Sequence, residues 1–192
     1  MNGIDQEIIK YQTLLDYKQK ELQDNINKIK SMEEEFRLLN DSMGILSHLV
    51  ESIISSNTQF IEELVSDGLT FIFGDKFKFE INHNVKNSKN VWYYTIQKGD
   101  IKGDINSFGG GVMAVTSFLL RVAINIIKKK PKFMFLDESL NHVSNSYQDK
   151  LSEFIKLLCD KFDMTIILIT HQEKIISRCD KIINLEEKLK GN

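Results

Sequence analysis

Two adjacent carboxylates close a short apolar run in this sequence, Lys132-Phe133-Met134-Phe135-Leu136-Asp137-Glu138. An aspartate at the end of a buried strand can hold a Mg²⁺ hydration shell, and a glutamate beside it can orient and deprotonate an attacking water. A second apolar run, Met164 to Thr170, ends on His171, a side chain that titrates near neutral pH. Upstream, Ser107-Phe108 leads into Gly109-Gly110-Gly111, which opens into the apolar segment Val112 to Ile124. Glycines at a helix N-terminus let the backbone approach a ligand closely, and the free amides with the helix dipole attract an anion such as phosphate. Each feature alone has an ordinary alternative: a turn, an acidic strand end facing solvent, a polar strand terminus. Their order along the chain is what joins them.

The elements that must position these residues are legible from periodicity. Residues 57–73 read as a helix ending near Gly74, with Ile61, Leu64, Val65, Gly68 and Leu69 on one face. Lys76 to Ile81 alternates strictly and reads as a strand, Asn82 to Asn90 as a polar turn or loop, and Val91 to Ile96 as the return strand. The segment after the glycines is apolar nearly all round, which predicts a buried helix. Strands are expected at Lys132–Glu138, Met164–Thr170 and Lys181–Leu185, with a polar helix from about Asn145 to Phe162. Alternating strands and helices, with strands apolar on both faces, imply an α/β fold with a parallel sheet covered by helices.

The first fifty-odd residues differ. Apolar residues recur there in alternating steps of three and four, from Ile8, Tyr11 and Leu15 through Met32, Phe36 and Leu39 to Val50 and Ile53. A sustained period of 3.5 marks a coiled-coil seam, since an ordinary amphipathic helix drifts at 3.6. Lys18 and Asn25 are the polar members of the seam, where they either fix register or mark a frayed N-terminal part. Fifty residues of helix make a rod of roughly 75 Å. Such a stripe needs a second helix, from another copy or from a different protein. The expected division is a coiled-coil arm over 1–54 and a globular lobe over 55–192.

Composition narrows the classes. The 192 residues are 42% hydrophobic and 27% charged, with a formal net charge of -2. That balance gives no global case for nucleic-acid or membrane binding, so DNA contact would need a local patch. Lys128-Lys129-Lys130-Pro131-Lys132 is the dense basic run; it suits DNA phosphates, and equally a helix C-terminus, where cations complement the dipole. Cys159 and Cys179 have neither metal-ligand nor disulfide-framework spacing. No signal-peptide pattern opens the chain, and no apolar run approaches the roughly 20 residues of a membrane span. A cytoplasmic protein with no membrane partner is expected.

Glycine loop, buried helix, apolar strand with Asp-Glu, helix, and apolar strand with Thr-His: in this order the chain resembles the C-terminal lobe of ABC-type ATPases. With a heptad helix running into that lobe, it is similar to the SMC/SbcC branch. The Gly-Gly-Gly-Val and Ser-Phe-Leu-Leu-Arg run likens it to small phage-encoded SbcC-like ATPases, so host cytoplasm is the implied location. The likeness covers about Ser55 to Leu185, with the heptad helix as descending arm. It implies ATP and Mg²⁺ as cofactors, with Asp137 at the metal and Glu138 and His171 as catalytic Walker B glutamate and switch histidine. Ser107 and Gly109, Gly110 and Gly111 become the signature loop, which binds the γ-phosphate of a nucleotide held by the opposite head. DNA, and a nuclease subunit acting in repair, recombination or end processing, are implied partners.

The sequence also departs from that pattern. Aligning Arg121 with the arginine usual in the signature helix puts Gly109 where the family's serine stands, with Ser107 two residues earlier. Ser139 replaces the usual proline after the Walker B pair, and Ser144 replaces the aspartate that closes the following loop. No Gly-x-x-x-x-Gly-Lys-Ser/Thr occurs in these residues, so the β- and γ-phosphates lack their backbone cradle and lysine here. The expected partner is therefore a Walker A-bearing ATPase half with its own coiled-coil arm. The competing expectation is a degenerate relative that pairs with a second copy of itself as a non-enzymatic dimerisation or regulatory module.

Overall fold

The structure, a computed structural model, describes residues 3–86, 89–128 and 132–184. It falls into two units, Met1–Ile54 and Ser55–Asn192. From Gly3 onward the first is helical and belongs to α1, which spans Gly3–Phe73. Its seam side chains, among them Leu15, Ile29, Phe36, Met43 and Val50, are exposed in the single chain. Of the polar seam members, Lys18 is paired with Glu21 at 2.6 Å. The separate helix expected from residue 57 is instead the continuation of α1. No proline or cap interrupts the segment, and helix propagation is cheap once begun.

In the second unit the order is β1 (Phe77–Lys86), β2 (Lys89–Lys98), β3 (Ile101–Gly103), a 3₁₀ turn (Ile105–Ser107), α2 (Gly110–Ile127), β4 (Phe133–Asp137), α3 (Gln148–Phe162), β5 (Thr165–Ile169) and α4 (Glu173–Ile176). The expected loop at Asn82–Asn90 is mostly strand: the ladder runs on through Asn82↔Tyr93 and Asn84↔Val91 to Lys86↔Lys89. Polar side chains suit the distal part of a hairpin, and backbone pairing there needs no apolar face. The last strand expected at Lys181–Leu185 is not formed over residues 181–184, and Leu185 lies outside the described residues. Of the basic run, Lys129, Lys130 and Pro131 also lie outside them. Lys128 caps the C-terminus of α2, and Lys132 pairs with Asp163 at 3.2 Å.

The core is built around three helices. Val65, Leu69 and Ile72 of α1, Phe118, Leu119 and Val122 of α2, and Leu151 of α3 are all essentially inaccessible. Gly68 allows this approach, since a Cβ there would lie 2.6 Å from Leu119 Cδ1 and 3.1 Å from Phe154 Cε1. By length and composition α2 could cross a bilayer, contrary to the expectation that no run approaches that length. Its Val115, Phe118, Leu119 and Val122 lie instead in the core, as in the buried helix of a globular domain.

Strand β1 is an edge strand, and α1 covers the edge. The amides of Phe77, Phe79 and Ile81 donate to Thr70 Oγ1, Ser66 Oγ and Glu62 Oε1 at 3.0, 2.9 and 2.7 Å. Residues four apart on a helix advance about 6 Å and residues two apart on a strand about 6.6 Å. The row Glu62–Ser66–Thr70 therefore stays in step with alternate amides of β1, and pins both the register and the direction of the hairpin against α1.

The two sheets are β1-β2-β3, antiparallel, and β4-β5, parallel. The expectation of a mostly parallel sheet apolar on both faces is only partly met. Exposure alternates along β4 and β5. Met134 and Leu136 are buried, whereas Phe133, Phe135, Ile167 and Ile169 on the other face are 46%, 60%, 39% and 48% exposed. Among the described residues, one face of the parallel pair is apolar and exposed.

Two measurements test this fold. Ser66→Ala leaves the Phe79 amide without its acceptor and should lower unfolding stability by about 1 to 3 kcal/mol, while Glu62→Gln, which keeps an acceptor, should cost less; denaturant titration separates them. Glu80 is bonded by Lys102 and then Lys78, and these ammonium groups lower its pKa from 4.5 to about 2. A depressed carboxylate pKa gives stability that is present above the unfolded pKa and lost below it. The wild type should therefore lose more stability than Glu80→Gln between pH 4.5 and about 2.

Candidate functional site

Asp137 ends β4 opposite Ile169, the last residue of β5. Pairing continues one step further, with the Glu138 amide donating to the Ile169 carbonyl at 3.0 Å. The chain then turns sharply. Glu138 adopts φ 45°, a left-handed conformation that a side chain of this size occupies at a cost of about 1–3 kcal/mol. Its carbonyl accepts from the Asn141 amide at 3.2 Å, and Ser139 Oγ donates to the Asp137 carbonyl at 3.1 Å. The turn aims the Glu138 carboxylate toward β5, where His171 Nδ1 lies 3.8 Å from Glu138 Oε1. Both side chains are largely open to solvent.

The segment after Glu138 is anchored from beneath. Leu140 and Val143 are buried, and Gln148 Nε2 donates to the Val143 carbonyl at 3.3 Å. Gln172, next to His171, is buried and its Nε2 reaches the carbonyls of Leu140 and Asn141 at 3.5 and 3.4 Å. The buried side-chain oxygens of Gln172 and Asn141 have no hydrogen-bond partner among the described residues. Gln172 thus ties the end of β5 to the loop that follows Glu138. The sequence pattern gave no weight to this residue, because a glutamine after a strand reads as surface until its neighbours are known.

The glycine turn meets the same loop. Gly109 is the N-cap of α2 with no side-chain cap bond, so the first amides of the helix stay free for a ligand. A Cβ on Gly111 would lie 3.1 Å from the His142 carbonyl oxygen, and one on Gly110 3.7 Å from His142 Cβ. His142 and Val143 thus sit against the start of α2. Ser107 is placed differently. Its Oγ lies 3.3 Å from Asp104 Oδ1, which also accepts the Ser107 and Asn106 amides. This hydroxyl closes the 3₁₀ turn. Ser144 Oγ lies 3.0 Å from Ser146 Oγ, in the turn leading into α3.

Among the described residues no three His, Cys, Asp or Glu side chains converge as a metal cage. The donor set at the strand end is Asp137 with Glu138. That fits Mg²⁺, which keeps several waters and takes one or two carboxylates plus substrate phosphates, and does not fit a structural zinc.

No family model and no curated protein matches the chain in sequence. Its fold is nonetheless similar to that of SMC head domains. A chain studied for ATP-driven dimerisation and DNA-stimulated activation of SMC ATPases superposes with TM-score 0.54 at 18% identity, over 72% of this chain and 92% of that one. The SMC head of Pyrococcus yayanosii with coiled coil and joint gives TM-score 0.62 at 18% identity, over 92% of this chain and 32% of that one. An SMC head bound to the C-terminal winged-helix domain of ScpA gives 0.54 at 19% identity, over 69% and 45%. The chain spans less than half the length of these last two.

The contact between glycine turn and loop is open to test. Gly111→Val forces the His142 carbonyl outward and should cost more than about 1 kcal/mol. Gly109→Ala, whose Cβ would meet nothing within 4 Å, should change stability by less than about 0.5 kcal/mol. Denaturant midpoints of the two variants give the comparison.

Proposed function

We propose that this chain is the C-terminal half of a split SMC/SbcC-like ATPase head, which binds and hydrolyses ATP with a partner that supplies Walker A and acts in DNA repair, recombination or end processing. The observation that carries the reading is the bare apolar face of β4–β5, with Glu138 and His171 3.8 Å apart at the strand ends above it. Parallel strands are normally covered on both faces, and open α/β sheets bind ligands at the C-terminal ends of their strands. A partner half that brings a helix to this face also brings its phosphate loop to those ends. The exposed heptad seam of residues 8–53 gives the same partner a second place to pair.

In that assembly Asp137 would hold Mg²⁺ through its water shell, and the ion would supply neutralisation of charge on the phosphate oxygens. Glu138, carried past the strand end by its left-handed backbone, would orient an attacking water and accept its proton. His171, 3.8 Å from Glu138, would sense the terminal phosphate. The free amides at Gly110 and Gly111 serve a nucleotide held by an opposing head. Gln172 fixes the relative position of the Glu138 loop and the His171 strand end. One observation favours the non-enzymatic alternative: the Ser107 hydroxyl is engaged by Asp104, and Gly109 has no hydroxyl to offer.

ATPase assays of the purified chain, of the Walker A-bearing half and of their mixture decide between these. The chain alone should show negligible hydrolysis, and the mixture a rate that falls at least about 100-fold with Glu138→Gln. Hydrolysis by the chain alone contradicts the split-site reading. A zero rate in every mixture, with and without DNA, favours the regulatory module.

A further inference from the structure

The heptad seam of α1 offers a facing helix two adjoining holes. A knob from one helix of a coiled coil inserts among four residues of the other. Tyr11, Leu14, Leu15 and Lys18 make one such set and Leu15, Lys18, Gln19 and Leu22 the next, and together they line one shallow hollow on the arm. Lys18 belongs to both sets, so it meets whatever enters either. Among the described residues its ion-pair partner is Glu21, at 2.6 Å, with the two side chains 65% and 46% exposed. Glu21 stands beside the seam position Leu22 and outside the seam itself. A pair so open to solvent holds its lysine weakly.

Charge decides which helices can face that lysine. Two copies of α1 paired in parallel set each seam position against its own class, at multiples of seven residues. In register Lys18 meets Lys18; one heptad out of register it meets Asn25 in one direction and Tyr11 in the other. Two copies paired antiparallel set each class against the other class. Lys18 then faces the set that runs from Ile8 through Leu22 and Phe36 to Val50, which is apolar at every position. No seam position carries aspartate or glutamate, so no register of a second copy places an acid in the layer of Lys18. An ammonium buried there without an acid is costly, and two facing each other are more so.

We propose that Lys18 selects the occupant of the seam: a helix of different sequence, carrying aspartate or glutamate in the layer that faces Lys18, and not a second copy of α1. This deepens the split-head reading, on which it rests for the presence of a second arm. It rules out self-pairing, one of the two partners that the apolar stripe alone would admit.

Sedimentation of the purified chain measures self-pairing. Lys18→Leu should strengthen it at least about tenfold, with melting curves showing that both chains fold. The facing layer is probed with synthetic coiled-coil peptides of apolar heptads, made for the parallel and the antiparallel register, with glutamate, leucine or lysine opposite Lys18. In one of the two orientations the glutamate peptide should bind at least about tenfold tighter than the lysine peptide, and tighter than the leucine peptide. Lys18→Glu should reverse the order of the glutamate and lysine peptides. A peptide with its glutamate two heptads away should lose the advantage. Equal binding of the glutamate and lysine peptides overturns the proposal, as does a leucine or displaced-glutamate peptide that binds as tightly. Absence of binding by every peptide, or self-pairing unchanged by Lys18→Leu, overturns it too. No nucleotide takes part in these measurements, so their failure is distinct from failure of the ATPase assays.

Discussion

A parallel pair of strands cannot rest with one apolar face in water. In β4 and β5 the alternation places Met134 and Leu136 inward, where α1, α2 and α3 supply the cover, and leaves Phe133, Phe135, Ile167 and Ile169 outward. Antiparallel sheets tolerate a wet face because its residues are polar, and here they are aromatic and β-branched. The same strands lead into Asp137, Glu138 and His171, so whatever covers the face lies next to the candidate site. On the proposed reading, covering the face and completing the site fall to the same partner.

The rest of the second unit serves to hold those strand ends still. Edge amides of β1 are met by the Glu62–Ser66–Thr70 row, which fixes the hairpin against α1. Close approach at Gly68 fixes α1 against α2 and α3. The start of α2 then lies on His142, and Gln172 reaches the loop beneath Glu138. Each tie is modest alone, of order 1 kcal/mol for a typical hydrogen bond. In series they connect the glycine turn, the carboxylates and the histidine through short contacts, with the strained φ of Glu138 placed among them.

Much of this was legible from residue types and spacing. The heptad period, the buried α2, the two short apolar strands and the residues at their ends all follow from patterns local in sequence. The helix boundary near residue 57 did not, because a change of partner from solvent to core leaves the backbone of α1 unbroken. The full length of the hairpin was missed since residues 82–86 pair with 89–93 through their backbone, which a side-chain pattern does not record. The bare face escaped for the opposite reason. An apolar run such as Phe133 to Leu136 reads the same whether its second face is covered by the same chain or by another. Ser107 looked available for a phosphate, and only the position of Asp104 shows its hydroxyl closing a turn.

The central claim is that a partner covers β4–β5. Hydroxyl-radical footprinting tests it without substitution, by comparing oxidation of Phe133 and Phe135 in the purified chain and in its complex with the Walker A-bearing half. The account predicts ready oxidation of both rings in the chain alone and several-fold protection of both in the complex. Equal reactivity in a complex that hydrolyses ATP would contradict it.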